Sequence, residues 1–492
     1  MKKSKATKRT LLLSVLAMLL CMVMLVGTTF AWFTDSASTA VNKIQAGTLD
    51  IALEMKDADD NWVTAEGKTL SFKKAAGHEG EEILWEPGCT YDLQSFKIKN
   101  AGNLALKYKI QITGIQGDAE LNNVIDWTYT LADGNAFPIT EEGKLAANAE
   151  TGLITISGKM QKSAGNEYQG KYIDNIAITV VATQDTVEYD SYNNTYDADA
   201  QYPYPVSTDA ELAEAITTVG SGSVIALTSG TFSLPETGIN KGVTIAGNGA
   251  DNTTVQVPAT PSGANKTGLV VDKENVTISN VTISGNTEIT SDEYYGVIDI
   301  REGGTTLDNV SISRSYSNAS CVVIKRGVDS GETVTLKNST LKGGFKTIDI
   351  VDGANGTVII DNCDITGIYT FNVNSASSQD LTVKVTDSKL HGWTSYGRIK
   401  EAVFENTEFS KGSSNYDYLR PYADTTLTDC TFDSGFLMGA GTTGFTITLN
   451  NCVKNGVAVT AENVQSLLLD ADDMSNLSGC TIIVNGVTVT LS

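Results

Sequence analysis

Two hydrophobic rhythms divide the chain. Between residues 48 and 181, short apolar runs alternate with turn residues: Thr48–Leu53, Tyr91–Ile98, Leu106–Ile112, Ile125–Leu131, Leu153–Ile156 and Ile173–Val181. Within Lys107–Ile112 and Ile176–Val181 apolar and polar positions alternate with a period near two, the signature of half-buried strands. Turns such as Trp85-Glu86-Pro87-Gly88 and Asn100-Ala101-Gly102-Asn103 separate the runs. Several strands at this spacing predict an antiparallel β-sandwich.

From about residue 207 the rhythm becomes a repeat. Eight segments align: VTISNVTISG (276–285), TTLDNVSISR (305–314), VTLKNSTLKG (334–343), VIIDNCDITG (358–367), VKVTDSKLHG (383–392), AVFENTEFSK (402–411), TTLTDCTFDS (425–434) and ITLNNCVKNG (447–456). Their fifth column is Asn280, Asn309, Asn338, Asn362, Asp387, Asn406, Asp429 and Asn451, at offsets of 29, 29, 24, 25, 19, 23 and 22 residues. Asn and Asp tolerate the left-handed backbone of a sharp corner. Stacked about 4.8 Å apart, such side chains form an asparagine ladder. The next column, Val281 to Cys452, is small or β-branched throughout, as a narrow interior requires.

A second strand set includes Ile298-Asp299-Ile300, Val322-Val323-Ile324, Ile348-Asp349-Ile350, Phe371-Asn372-Val373 and Leu437-Met438. Two or more short strands per coil with uneven loops predict a right-handed parallel β-helix. Thr208, early acids and the apolar spacing of Leu212, Ala215 and Ile216 predict a helix covering its start. Residues 188–206 are acidic and Tyr-rich, end in Tyr202-Pro203-Tyr204-Pro205, and read as a semi-rigid spacer. The expected organisation is leader 1–31, sandwich 32–187, spacer 188–206 and β-helix 207–492.

The N-terminus has Lys2, Lys3, Lys5, Lys8 and Arg9, then an apolar run from Leu11 to Val26 and small residues up to Ala31. This is the pattern of an export signal cleaved after Ala31. An uncleaved anchor is the alternative, since Leu11–Phe33 is uncharged and about 20 apolar residues span a bilayer. The junction F-A-W-F-T-D…A-G-T-L-D-I resembles the start of the TasA/camelysin family of exported bacterial matrix and surface proteins. That resemblance covers roughly 1–185. It implies a jelly-roll sandwich, a SipW-type signal peptidase as partner, and an assembly strand near Trp32–Leu53, with Trp32, Phe33, Ile44 and Leu49 as its apolar positions. The segments TDAELAEAI…GSVIAL…GTFSL resemble the opening of pectate-lyase-like β-helix domains, a likeness specific for fold rather than activity.

The formal charge is −23, falling to −28 once the five basic leader residues are removed. That excludes nucleic acid and anionic membrane as expected partners. Cysteines outside the leader are Cys89, Cys321, Cys363, Cys430, Cys452 and Cys480. An even count in an exported chain is compatible with disulfides. Three of them share the small interior column, so they read as buried thiols acting as small hydrophobes.

Candidate chemistry is sparse. His78-Glu79-Gly80-Glu81-Glu82 lacks the second His of HExxH, and the only other histidine is His391, so no metal and no cofactor is expected. Gly397-Arg398-Ile399-Lys400 and His391-Gly392 resemble parts of polygalacturonase motifs, but they fall within one coil and the upstream acids are missing. Asp349, Arg398, Lys400 and Arg420, with the aromatic Trp393, Tyr396 and Tyr418, are the candidate glycan-binding residues; Asp299 and Lys325 lie on the same face. The plainer account is scattered solvated charge. Tyr316, Phe345, Tyr369 and Phe436 each follow their ladder residue by seven positions, which predicts an internal stack. Together these features describe an all-β exported structural or adhesive protein, self-associating through its N-terminal domain and displaying a β-helix for polysaccharide. The enzymatic alternative is a secreted lyase or glycoside hydrolase, with no catalytic residue assigned.

Overall fold

The computed structural model describes residues 49–491 except 66–67, 69, 114, 175, 186–200, 258–267, 286–295, 315–319, 326–327, 344, 352, 374–377 and 413–417. Ala31, Trp32, Phe33, Ile44, Tyr316 and most of the expected spacer lie outside the described residues.

The first part is built of short antiparallel strands, in the order β1 (Ile51–Lys56), β2 (Trp62–Thr64), β3 (Thr90–Asp92), β4 (Phe96–Asn100), β5 (Leu106–Thr113), β6 (Gln116–Gly117), β7 (Ile125–Thr130), β8 (Ala136–Pro138), β9 (Gly143–Leu145), β10 (Thr155–Met160), β11 (Ile173–Asp174) and β12 (Ala177–Gln184). They pair as β2-β1-β4, β3-β10-β7-β8, β11-β6 and β12-β5-β9. The period-two run Leu106–Ile110 buries Leu106, Tyr108 and Ile110, which meet Phe96, Ile154 and Ile156 in one core. Ile51–Leu53 pairs with Ile98–Asn100, so this half of the expected assembly strand is already committed to its own sheet.

The second part is one 28-stranded sheet, from Tyr204–Val206 to Val487–Val489. All its ladders are parallel except the two terminal hairpins. Each strand pairs with its equivalent one coil on. Ile225 lies beside Ile245, Ile245 beside Ile278, Ile278 beside Leu307, and the column continues to Val484. These residues form a continuous apolar interior. The expected spacer runs too far: Tyr204-Pro205-Val206 is the first strand of the solenoid, and Val206 is buried in its core. Pro205 is tolerated because it sits on the outermost strand of the stack. The helix Asp209–Thr218 opens with a capping box between Thr208 and Glu211 and buries Leu212, Ala215 and Ile216 against the same core.

All eight corner residues have φ between 47° and 57°. Asn309 donates to Asn280 Oδ1 (2.8 Å), Asn362 to Asn338 Oδ1 (2.9 Å), and Asn406 to Asp387 Oδ1. The side-chain ladder is interrupted at Asn338, whose amide turns to Asp308 Oδ1 at 2.8 Å.

Among the described residues no helix is long and apolar enough to cross a membrane.

Candidate functional site

Two places carry the candidate residues. The first is a cleft of about 760 Å³. Ile51 and Leu53 of β1, Phe96, and Trp127 form one wall. The whole run Ile176–Val181 forms another, and Ala226–Ser229 with Ala246–Asn248 of the first coils close it. Five consecutive residues of one strand, Ala177–Val181, line the space because its edge, not only one face, is presented. β12 pairs with β5 on one side, and among the described residues no strand pairs with its other side. Ile178 and Val180 face inward on the period-two pattern that predicted the strand, yet both stay half-buried. The pattern reveals the strand; that it is an edge is visible only in the pairing. Leu49, just before β1, is exposed.

The second place is the outer face of the strands that include Gly296–Ile300, Lys346–Ile350 and Lys389–Tyr396. Here one polar column runs in register through Asp299, Val323, Asp349, Asn372, Ser395 and Arg420. Both aspartates are fully buried (0 % exposed). Asp299 pairs with Arg301 (2.7 Å) and Lys325 (3.1 Å). Asp349 pairs with Lys346 (3.2 Å) and accepts a hydrogen bond from Asn372 (3.1 Å). Arg420 pairs with Asp473 (3.2 Å), a residue of the C-terminal helical segment that no motif singled out. Asp349 and Arg420 are therefore engaged within the chain, whereas Arg398 and Lys400 are exposed on the following turn.

Two of the three aromatic candidates, Trp393 and Tyr396, present no face for stacking on sugar, while Tyr418 is half-buried. Trp393 is 9 % exposed, with Tyr369 stacked on it at 4.5 Å and Tyr418 at 5.1 Å, so both ring faces are occupied. Tyr396 is fully buried between Phe371 and Phe404, its hydroxyl bonded to Thr425 (2.6 Å), and burial pushes its phenol pKa up. The expected internal stack is corrected as well. Among its described members only Phe436 joins the interior; Phe345 and Tyr369 are half-buried and continue the column of Trp393 and Tyr418 outside it. Beside Tyr369 the pairing with the next coil is irregular in register.

The two histidines stand apart in the fold. His78 lies in a turn, its Nδ1 2.8 Å from Glu81. His391 lies on the solenoid between Ser410 and Asp364. Among the described residues no three His, Cys, Asp or Glu side chains are grouped to hold a metal.

The profile of the camelysin metallo-endopeptidase family matches residues 6–61. No curated protein matches the chain. Among solved structures, the Agl-KA catalytic domain is 12 % identical, with 85 % of this chain and 89 % of that one covered and a TM-score of 0.29. The catalytic domain of a GH87 α-1,3-glucanase in complex with nigerose is 11 % identical, covering 88 % and 98 %, with a TM-score of 0.28. The catalytic unit of a thermostable GH87 α-1,3-glucanase from Streptomyces thermodiastaticus is 10 % identical, covering 75 % and 86 %, with a TM-score of 0.21. These are loose likenesses, and the activity belongs to those enzymes; the camelysin match is a likeness of the N-terminal segment.

Proposed function

We infer that this is an exported bacterial surface or matrix protein whose sandwich joins copies by strand addition and whose solenoid is carried as a rigid appendage. The observation that carries the reading is the open edge of β12 along an apolar cleft. An unpaired edge needs backbone N–H and C=O partners, and an apolar cleft needs side chains. A donated strand supplies both, through its backbone and its alternate residues. The donor is residues 32–47 of a second copy, with Trp32, Phe33 and Ile44 as apolar positions; Ile51–Leu53 is already paired at home. The match over residues 6–61 spans this segment and supports export; in this reading a SipW-type peptidase cuts after Ala31.

In this reading the sandwich (32–187) is jelly-roll-like, a spacer begins at 188, and the solenoid begins at Tyr204 with the helix 209–218 as its cap. Its crossovers are right-handed, as about 98 % of parallel connections are. A role for the solenoid in binding acidic polysaccharide now rests on Arg398 and Lys400, the candidates left exposed. Lyase or hydrolase chemistry draws less support: Asp299 and Asp349 are buried and each is paired with a lysine, whereas glycoside hydrolysis uses a carboxyl that can give up a proton.

The test is negative-stain electron microscopy of Trp32–Ser492 beside Asp50–Ser492. A third sample is Trp32–Ser492 carrying Ala246→Trp, which fills the cleft from the solenoid side. Fibres from the unaltered longer chain alone support strand addition. Monodisperse particles from all three overturn it.

A further inference from the structure

The interior column that follows the corner residues reads Ser339, Cys363, Ser388, Thr407, Cys430 and Cys452 over six consecutive coils. Only at Cys430 and Cys452 do two cysteines follow one another. Thr428 is in register with Asn450, and Thr431 with Val453, so the two cysteines occupy equivalent positions one coil apart. Both side chains point into the core and are essentially fully buried. Parallel strands lie about 4.8 Å apart, within the roughly 4.4–6.8 Å separation of Cα atoms that a disulfide bridges. Both are free thiols here, and each sulfur lies near the backbone carbonyl two residues before it, Thr428 O at 3.3 Å and Asn450 O at 3.5 Å.

We propose that Cys430 and Cys452 are a disulfide site, oxidised as the last coils of the solenoid close and stapling two of them together. The two thiols lose two protons and two electrons to form the S–S bond. The electrons pass by thiol–disulfide exchange to a small-molecule disulfide, which is reduced to two thiols. Exchange requires an accessible thiolate, and burial removes access and disfavours the charged form. Oxidation therefore belongs to the folding chain, and the folded pair is inert in either state. Cys363 has Ser339 and Ser388 as neighbours in its column and gains no such partner.

The experiment folds the full chain from denaturant in oxidised or in reduced glutathione. Each sample is then denatured, alkylated with iodoacetamide and digested with trypsin. The fragment Gly412–Lys454 contains both cysteines and no others, because Arg420 precedes Pro421 and resists cleavage. The expected result is a fragment from the oxidised sample that carries no alkyl group until reductant is added, then two. The oxidised protein should also unfold at higher temperature than the reduced one, a difference that Cys430→Ser abolishes. A fragment from the oxidised sample that carries two alkyl groups before reduction, or one mixed with glutathione at either cysteine, overturns the proposal. Because folding is done in vitro, neither outcome depends on whether the chain is exported or forms fibres.

Discussion

Asp349 separates a binding role from a structural one. Its carboxylate is fully buried, its partner Lys346 is 7 % exposed, and the two are 3.2 Å apart. Asp349→Asn keeps the size of the side chain and removes its charge, which strands the Lys346 ammonium in a site with almost no access to water. Breaking a buried pair by removing one partner costs about 3–5 kcal/mol. The amide retains part of the contact with Asn372, so the lower end, about 3 kcal/mol, is expected. Unfolding entropy near 2.1 cal/mol/K per residue makes roughly 0.9 kcal/mol/K for a unit of this size, so the melting midpoint should fall by about 3 °C. The second variant is Lys346→Met with Asp349→Asn. With no charge left unpaired, most of the loss should return, because replacing a whole buried pair is often neutral. Scanning calorimetry of Asp349→Asn, of Lys346→Met alone and of the double variant reads the coupling directly. If Asp349→Asn melts with the wild type while polysaccharide binding is lost, the structural assignment is wrong and Asp349 is a ligand group.

Two further outcomes follow from the geometry. At Asn362, φ is 49° and the amide donates to Asn338; Asn362→Ala should cost about 1–2 kcal/mol for the left-handed backbone and more than Asn362→Gly. Equal losses from alanine and glycine in urea titrations would remove the backbone explanation. At Lys97, ion pairs to Glu54 and Glu150 (2.9 Å each) hold the Glu54 carboxyl below its usual 4.5 and raise the Lys97 ammonium above 10.5. A depressed acid adds stability that is present above 4.5 and lost as pH falls through its lowered value; a raised base adds stability that is lost as pH climbs through its raised value. The stability gap between wild type and Lys97→Met should therefore be widest between those limits and shrink on the acid side, in denaturant titrations at pH 3 and pH 7.

The repeat was legible because its cause is local. A corner that needs positive φ admits few residue types, so Asn280 through Asn451 mark eight successive coils, and the small column beside them reports the narrow interior. The period-two runs of the sandwich were legible for the same reason. The candidate glycan surface was not. Trp393, Tyr396 and Tyr418 look alike in sequence. The register between coils sends Tyr396 into the core and stacks Trp393 between two rings.

The chain by itself, then, determined the element types, the repeat and the corner chemistry, all set by sterics within a few residues. Only the tertiary structure decided which strand is left at an edge and which carboxylates lose their water. Those outcomes depend on neighbours about 20 or more residues away in sequence but one strand spacing away in space.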